Sequence, residues 1–147
     1  MLPLQGVRVI EFCNVAAGPF CGMLLADMGA DVIKVEHPQG GDSLRQWPPI
    51  NGGYSENFAS LNRNKRSVTL DLKDPADKAR ARELILGADV VVENNRPGVM
   101  DRLGLGWASG TPPSRARTRS SSTARSRRSA RKARARRRAA STSPCRR

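Results

Sequence analysis

Three short runs of β-branched and apolar residues stand out along the first hundred positions: Val7–Phe12, Ala30–Val35 and Asp89–Glu93. Runs of this length with almost no polar break suit buried strands better than helices, and a parallel sheet is their natural home. Between the first two, the loop Cys13–Gly18 leads to Pro19, whose fixed φ and missing donor fit the first position of a helix. Phe20, Met23, Leu24 and Met28 follow at helical spacing and predict an apolar face, which Gly29 closes as a left-handed cap. Leu4 to Val35 therefore reads as a right-handed β-α-β crossover. Sheets of this kind bind ligands at the carboxyl ends of their strands, which points to Asn14–Gly18 and Glu36–Asp42.

Further along, Ser43–Glu56 carries no firm periodicity, and Phe58, Ala59 and Leu61 fit either a strand or a short helix. The alternating run Ser67–Leu72 predicts a strand. Asp74-Pro75 places a cap and a first-position proline in the preferred order for a helix that runs to Leu86 and ends at Gly87. After the third apolar run, Asn94–Gly98 forms a polar loop and Val99–Leu103 one short helical turn. The fold class expected is α/β: a Rossmann-like parallel sheet with flanking helices.

Charge changes the picture only at the end of the chain. The formal balance is +13 over 147 residues, yet residues 1–108 hold 12 Lys and Arg against all 13 acids, and residues 109–147 hold the other 14 bases. Beyond Gly110 there is no Leu, Ile, Val, Met or aromatic residue, so that stretch lacks the apolar area that offsets chain entropy. The expected organisation is one domain over 1–108 and a disordered Arg/Ser/Ala-rich tail over 109–147. Cys13, Cys21 and Cys145 show no paired spacing, no secretory leader is evident, and no apolar run approaches the ~20 residues of a membrane span. The reading is a cytoplasmic protein with no membrane segment.

Two readings of the basic cluster Asn62–Arg66 remain open, a solvated turn or a compact anion site. Lys73, Arg63, Arg96 and Arg102 would surround a rim formed by the strand ends at Phe12, Val35 and Glu93, as a phosphorylated ligand requires. No Gly-x-Gly-x-x-Gly or Walker pattern is present. Residue chemistry alone thus reaches an α/β domain for a phosphorylated small molecule.

Six blocks in order carry something more specific: Leu4–Glu11, Ala17–Pro19, Leu25–Glu36, Asn62–Ser67, Leu70–Lys73 and Glu93–Met100. Together they resemble the amino-terminal part of the family III CoA-transferases, the group that includes α-methylacyl-CoA racemases, over essentially all of residues 2–107. The resemblance implies a Rossmann-like CoA-binding region within a longer chain that forms an interlocked homodimer. It implies coenzyme A or acyl-CoA as substrate, a carboxylic acid as acceptor, and no covalently bound cofactor or metal. The family's CoA contacts fall here on Val15, Ala16, Ala17, His37, Leu70, Lys73, Asn94 and Arg102. His37 stands where many relatives carry arginine; a neutral imidazole stacks there but adds less charge attraction. Leu70 reads equally as a core residue.

In the family's transferases an aspartate attacks the acyl thioester, passing through a mixed anhydride and an enzyme-CoA thioester. That aspartate lies downstream of the Arg-Pro-Gly-Val-Met block, and this chain has no acid after Asp101, so no catalytic residue is assigned and little turnover is expected. The resemblance stops at Trp107. Read one nucleotide late, plausible codons for Tyr-Cys-Ser-Ile-Ser-Ala, Phe-Gly-Thr-Gln-Gly-Pro and Gly-Gly-Phe-Asp-Leu-Thr-Leu-Gln yield residues 123–128, 129–134 and 139–146. These hidden segments are what the family shows next, so the tail reads as a frameshift product. The alternatives carried alongside are a racemase fragment and a nucleic-acid-binding protein using the tail as an arm. Such a tail would bind polyanions non-specifically, with steep salt dependence.

Overall fold

The structure, a computed structural model, describes residues 1–106, so the expected tail over 109–147 lies outside the described residues. Four parallel strands form the sheet: β1 (Arg8–Phe12), β2 (Asp31–Glu36), β5 (Lys65–Thr69) and β6 (Val90–Glu93), in the order β5-β2-β1-β6. β1 is central, pairing Ile10 with Ile33 on one side and with Val91 on the other. The three apolar runs are therefore neighbours in one sheet.

Helices cover both faces. α1 (Ala17–Asp27) lies over Val9, Cys13, Val32 and Val92, while α3 (Pro75–Leu86) packs Ala81 and Ile85 against Ile10, Phe12, Val35 and Leu70. α3 starts as its sequence dictates, with Asp74 Oδ1 accepting from the Ala76 and Asp77 amides and Pro75 in the first turn. Gly29, at φ 98°, turns the chain from α1 into β2.

Three expectations are corrected. α1 begins at Ala17, two residues ahead of Pro19, because a proline anywhere in the first turn forfeits no intrahelical bond. Phe20, Leu24 and Met28 do not form the packed face: they are 49, 44 and 40 % exposed, and Gly18, Gly22, Met23 and Ala26 face the sheet instead. The fourth strand is Lys65–Thr69 rather than Ser67–Leu72: Asn64, at φ 60°, turns the chain into it early, and Asp71 is already engaged by Asp77 ahead of α3.

The stretch 43–56, without firm periodicity in sequence, holds a 3-10 turn (Ser43–Gln46) and a hairpin of β3 (Ile50–Asn51) and β4 (Tyr54–Ser55), and Phe58, Ala59 and Leu61, which fit either a strand or a short helix, lie in α2 (Glu56–Asn62), capped by Ser55. A last short helix, α4 (Val99–Arg102), follows the loop after β6. Among the described residues no helix is long and apolar enough to cross a membrane.

Candidate functional site

Because β1 connects to β2 on one side and lies beside β6 on the other, the sheet has a switch point between β1 and β6, the place where sheets of this kind bind ligands. The loops Asn14–Ala16 and Asn94–Gly98 line it. They are clasped by a reciprocal pair: the Asn14 amide donates to Asn94 Oδ1 at 3.0 Å and Asn94 Nδ2 to the Asn14 carbonyl at 2.7 Å. Asn95 Nδ2 adds a bond to the Phe12 carbonyl at 3.1 Å. α1 begins at this switch point, and its N-cap Ala16 supplies no side-chain acceptor; Pro19 has no amide proton and the Phe20 amide donates to the Ala16 carbonyl, which leaves the Ala17 and Gly18 amides as the uncapped ones of the first turn.

The other residues singled out from sequence follow the ends of the same four strands. His37 comes directly after β2, half exposed, its Nδ1 accepting from the Gln39 amide and its Nε2 3.8 Å from Asp71 Oδ1. Leu70 follows β5 and is 3 % exposed within the core, its amide donating to the Glu36 carbonyl. Lys73 and Arg102 are exposed, Lys73 in the turn before α3 and Arg102 at the end of α4, where its guanidinium lies beside Gly98. All eight thus lie in the segments that follow the carboxyl ends of the four strands, Leu70 buried among them. An open groove of about 380 Å³ along β5 and α3 shares only Leu70 with them.

The cluster Asn62–Arg66 does not belong to these segments. Arg63 pairs with Asp27 at 2.6 Å and Arg66 with Asp31 at 2.6 Å, at the last residue of α1 and the first of β2, which is the amino-terminal edge of the sheet. The Arg63 hydrogen bonds hold Asp27 below the usual carboxylate range. Arg63 is consequently removed from the cations of the rim.

Beneath α1 lies a charge cluster that no sequence argument located. Glu11 and Lys34 sit opposite each other on β1 and β2, both buried, with Nζ 2.9 Å from Oε1. Lys65 reaches Glu11 Oε2 at 2.8 Å, and Lys34 also reaches Asp42 Oδ2 at 2.9 Å and the Cys13 carbonyl at 2.8 Å. Two carboxylates face two ammonium groups, so the cluster is neutral, as burial demands. Burial alone would lower the Lys34 pKa, but Glu11 and Asp42 outweigh it and raise it; Lys65 is lowered by burial, only partly offset by Glu11. The small faces of Gly18 and Gly22 make room: a Cβ on Gly22 would collide with the Glu11 carboxylate and one on Gly18 with the Cys13 sulfur. Burial, then the Glu11 charge, pushes the Cys13 thiol far up, so it is a packing residue and not a nucleophile.

A third buried carboxylate, Glu36, ends β2. Its oxygens accept from Arg45 Nε and Nη2, both at 2.7 Å, from Ser67 Oγ at 2.6 Å and from the Asp42 amide at 2.9 Å. Burial pushes its pKa up, yet these donors prevail and hold it at about 2. Among the described residues no group of three or more His, Cys, Asp or Glu side chains has a metal-binding arrangement.

The family model described as CoA-transferase family III matches residues 4–111. The chain belongs to this family. Family III relatives include the succinyl-CoA–L-malate CoA-transferase β subunit of Chloroflexus aurantiacus, 51 % identical over 107 residues (72 % of this chain, 26 % of the relative). A formyl-CoA:oxalate CoA-transferase of Bradyrhizobium is 52 % identical over 108 residues (71 and 25 %), and the human succinyl-CoA:glutarate CoA-transferase 46 % over 106 residues (71 and 24 %). A crystal structure of a CaiB/BaiF family protein from Brucella suis superimposes with TM-score 0.73 at 38 % identity, covering 80 % of this chain and 33 % of that one. The chain thus spans about a quarter of the length of these curated family III relatives.

Proposed function

We propose that residues 1–108 are the CoA-binding amino-terminal part of a family III CoA-transferase whose whole form moves CoA between an acyl-CoA and a carboxylic acid. The observation that carries this reading is the convergence of the loops after β1, β2, β5 and β6 on one rim, with the amino terminus of α1 open to it. Val15, Ala16 and Ala17 offer backbone to the ligand, Asn94 holds that backbone in place, and Lys73 and Arg102 supply charge to phosphate oxygens. His37 stacks near the adenine end, and Leu70 supports the rim from the core. The transferase names of these relatives favour transferase over racemase.

The proposed reaction runs through an aspartyl carboxylate absent from this chain, which has no acid after Asp101. The 147-residue chain is accordingly a truncated form that binds CoA without turning it over, with residues 109–147 as the product of a shifted reading frame. The whole family member would be a cytoplasmic, interlocked homodimer. Sequencing the gene tests the frameshift: the shifted frame must continue the family beyond the present stop.

Binding is tested by titrating the full chain with CoA and, separately, with duplex DNA over a range of salt. Saturable CoA binding, weakened roughly tenfold by Lys73→Gln or Arg102→Gln, supports the reading, since a charge-assisted bond contributes roughly 1.5–3 kcal/mol. DNA binding alone, falling steeply with salt, supports the polyanion-arm alternative. CoA exchange catalysed by the purified chain would contradict the assignment of no catalytic residue.

A further inference from the structure

The backbone beside the switch point is strained at one residue. Val15 adopts φ 63°, in the left-handed region that a β-branched residue rarely enters and that costs on the order of 1–3 kcal/mol. Its amide is held by Asp42 Oδ1 at 3.1 Å. That carboxylate is fully buried. Oδ1 also accepts from the Leu44 amide at 3.0 Å, Oδ2 lies 2.9 Å from Lys34 Nζ, and the Asp42 amide donates to Glu36 Oε2 at 2.9 Å. Lys34 Nζ in turn holds the Cys13 carbonyl at 2.8 Å. One ammonium-carboxylate pair therefore grips Asn14–Val15 from both ends, through the carbonyl before the loop and the amide within it.

We propose that Asp42 is a positioning residue for the Val15–Ala17 loop, holding it in the strained conformation in which it meets CoA. The inference rests on the CoA reading above. Because Val15 turns left-handed there, the chain enters α1 at Ala17 with Ala16 and Ala17 exposed at the rim. The loop is set before any ligand arrives, so binding does not have to supply the ordering free energy. Asp42 touches the loop from below, its carboxylate buried away from the solvent side.

The test is a cycle on the full chain: wild type, Asp42→Asn, Val15→Gly and the double variant, each measured for CoA dissociation constant and for hydrogen exchange at the residue 15 amide. Glycine adopts φ 63° without strain, so it needs no clamp. The expected result is that Asp42→Asn weakens CoA binding roughly tenfold with Val15 present but within about threefold in the Val15→Gly background, and that residue 15 exchanges faster in Asp42→Asn. Equal losses in both backgrounds, or unchanged exchange at residue 15, overturn the proposal. Should Asp42→Asn not fold, Asp42→Glu keeps the charge facing Lys34 and displaces the acceptor, with the same outcomes. If wild type binds no CoA, the functional reading fails while the exchange measurement still decides whether Asp42 holds the loop.

Discussion

The cluster under α1 predicts a specific pattern of non-additivity. Glu11→Met removes one of two carboxylates and leaves Lys34 and Lys65 facing Asp42 alone; Lys65→Met leaves Glu11 and Asp42 facing Lys34 alone. Each single variant buries one uncompensated charge, which costs roughly 3–5 kcal/mol. A domain of this size has roughly 5–15 kcal/mol of stability in total, so either change consumes a large share. The double variant removes one charge of each sign, keeps the Lys34–Asp42 pair, and replaces two long side chains by ones of similar shape. Its cost should fall below that of either single variant, giving a coupling of several kcal/mol opposite in sign to simple addition. Urea unfolding followed by far-UV circular dichroism measures all four proteins. Single-variant costs under about 1 kcal/mol, or a double-variant cost equal to their sum, would refute a tightly coupled, dry cluster.

Two further outcomes follow from the same region. Gly22→Ala, normally stabilising in a helix by roughly 1 kcal/mol, should instead destabilise by roughly 1–3 kcal/mol, because its methyl group meets the Glu11 carboxylate; thermal unfolding measures the sign. Glu36 is held at about 2 in the fold against 4.5 ordinarily, so the folded state binds fewer protons and stability is lost as pH falls from about 4.5 to about 2. The shift corresponds to roughly 3 kcal/mol, reduced to roughly 2 because Arg45 is 38 % exposed, and Arg45→Met should flatten the acid limb of a pH-stability curve.

Much of the architecture was legible in the sequence, for identifiable reasons. β-branched runs marked β1, β2 and β6, and Asp74-Pro75 marked the start of α3, because these signals are local. β5 starts two residues before and ends three residues before the alternating run Ser67–Leu72, because that alternation continues past the point where pairing stops. The role of Arg63 and Arg66 was not legible, since their partners Asp27 and Asp31 lie over thirty residues away. Glu11 and Lys34, hidden inside apolar strands, were the one available hint of a buried ionic cluster: a charge in such a run must find its opposite. The outward face of α1 is not legible for a related reason. A helix apolar all round does not reveal which side meets the sheet, and here the small residues Gly18 and Gly22 do so.

The central claim is that the strand-end rim binds CoA, and the most direct measurement is a backbone amide NMR titration of the labelled chain with CoA. The account predicts saturable shifts concentrated at residues 14–18, 37, 70–73 and 94–102, with Arg63 and Arg66 unaffected. Shifts confined to the opposite edge of the sheet or to the groove along α3, or none at millimolar CoA, would contradict it.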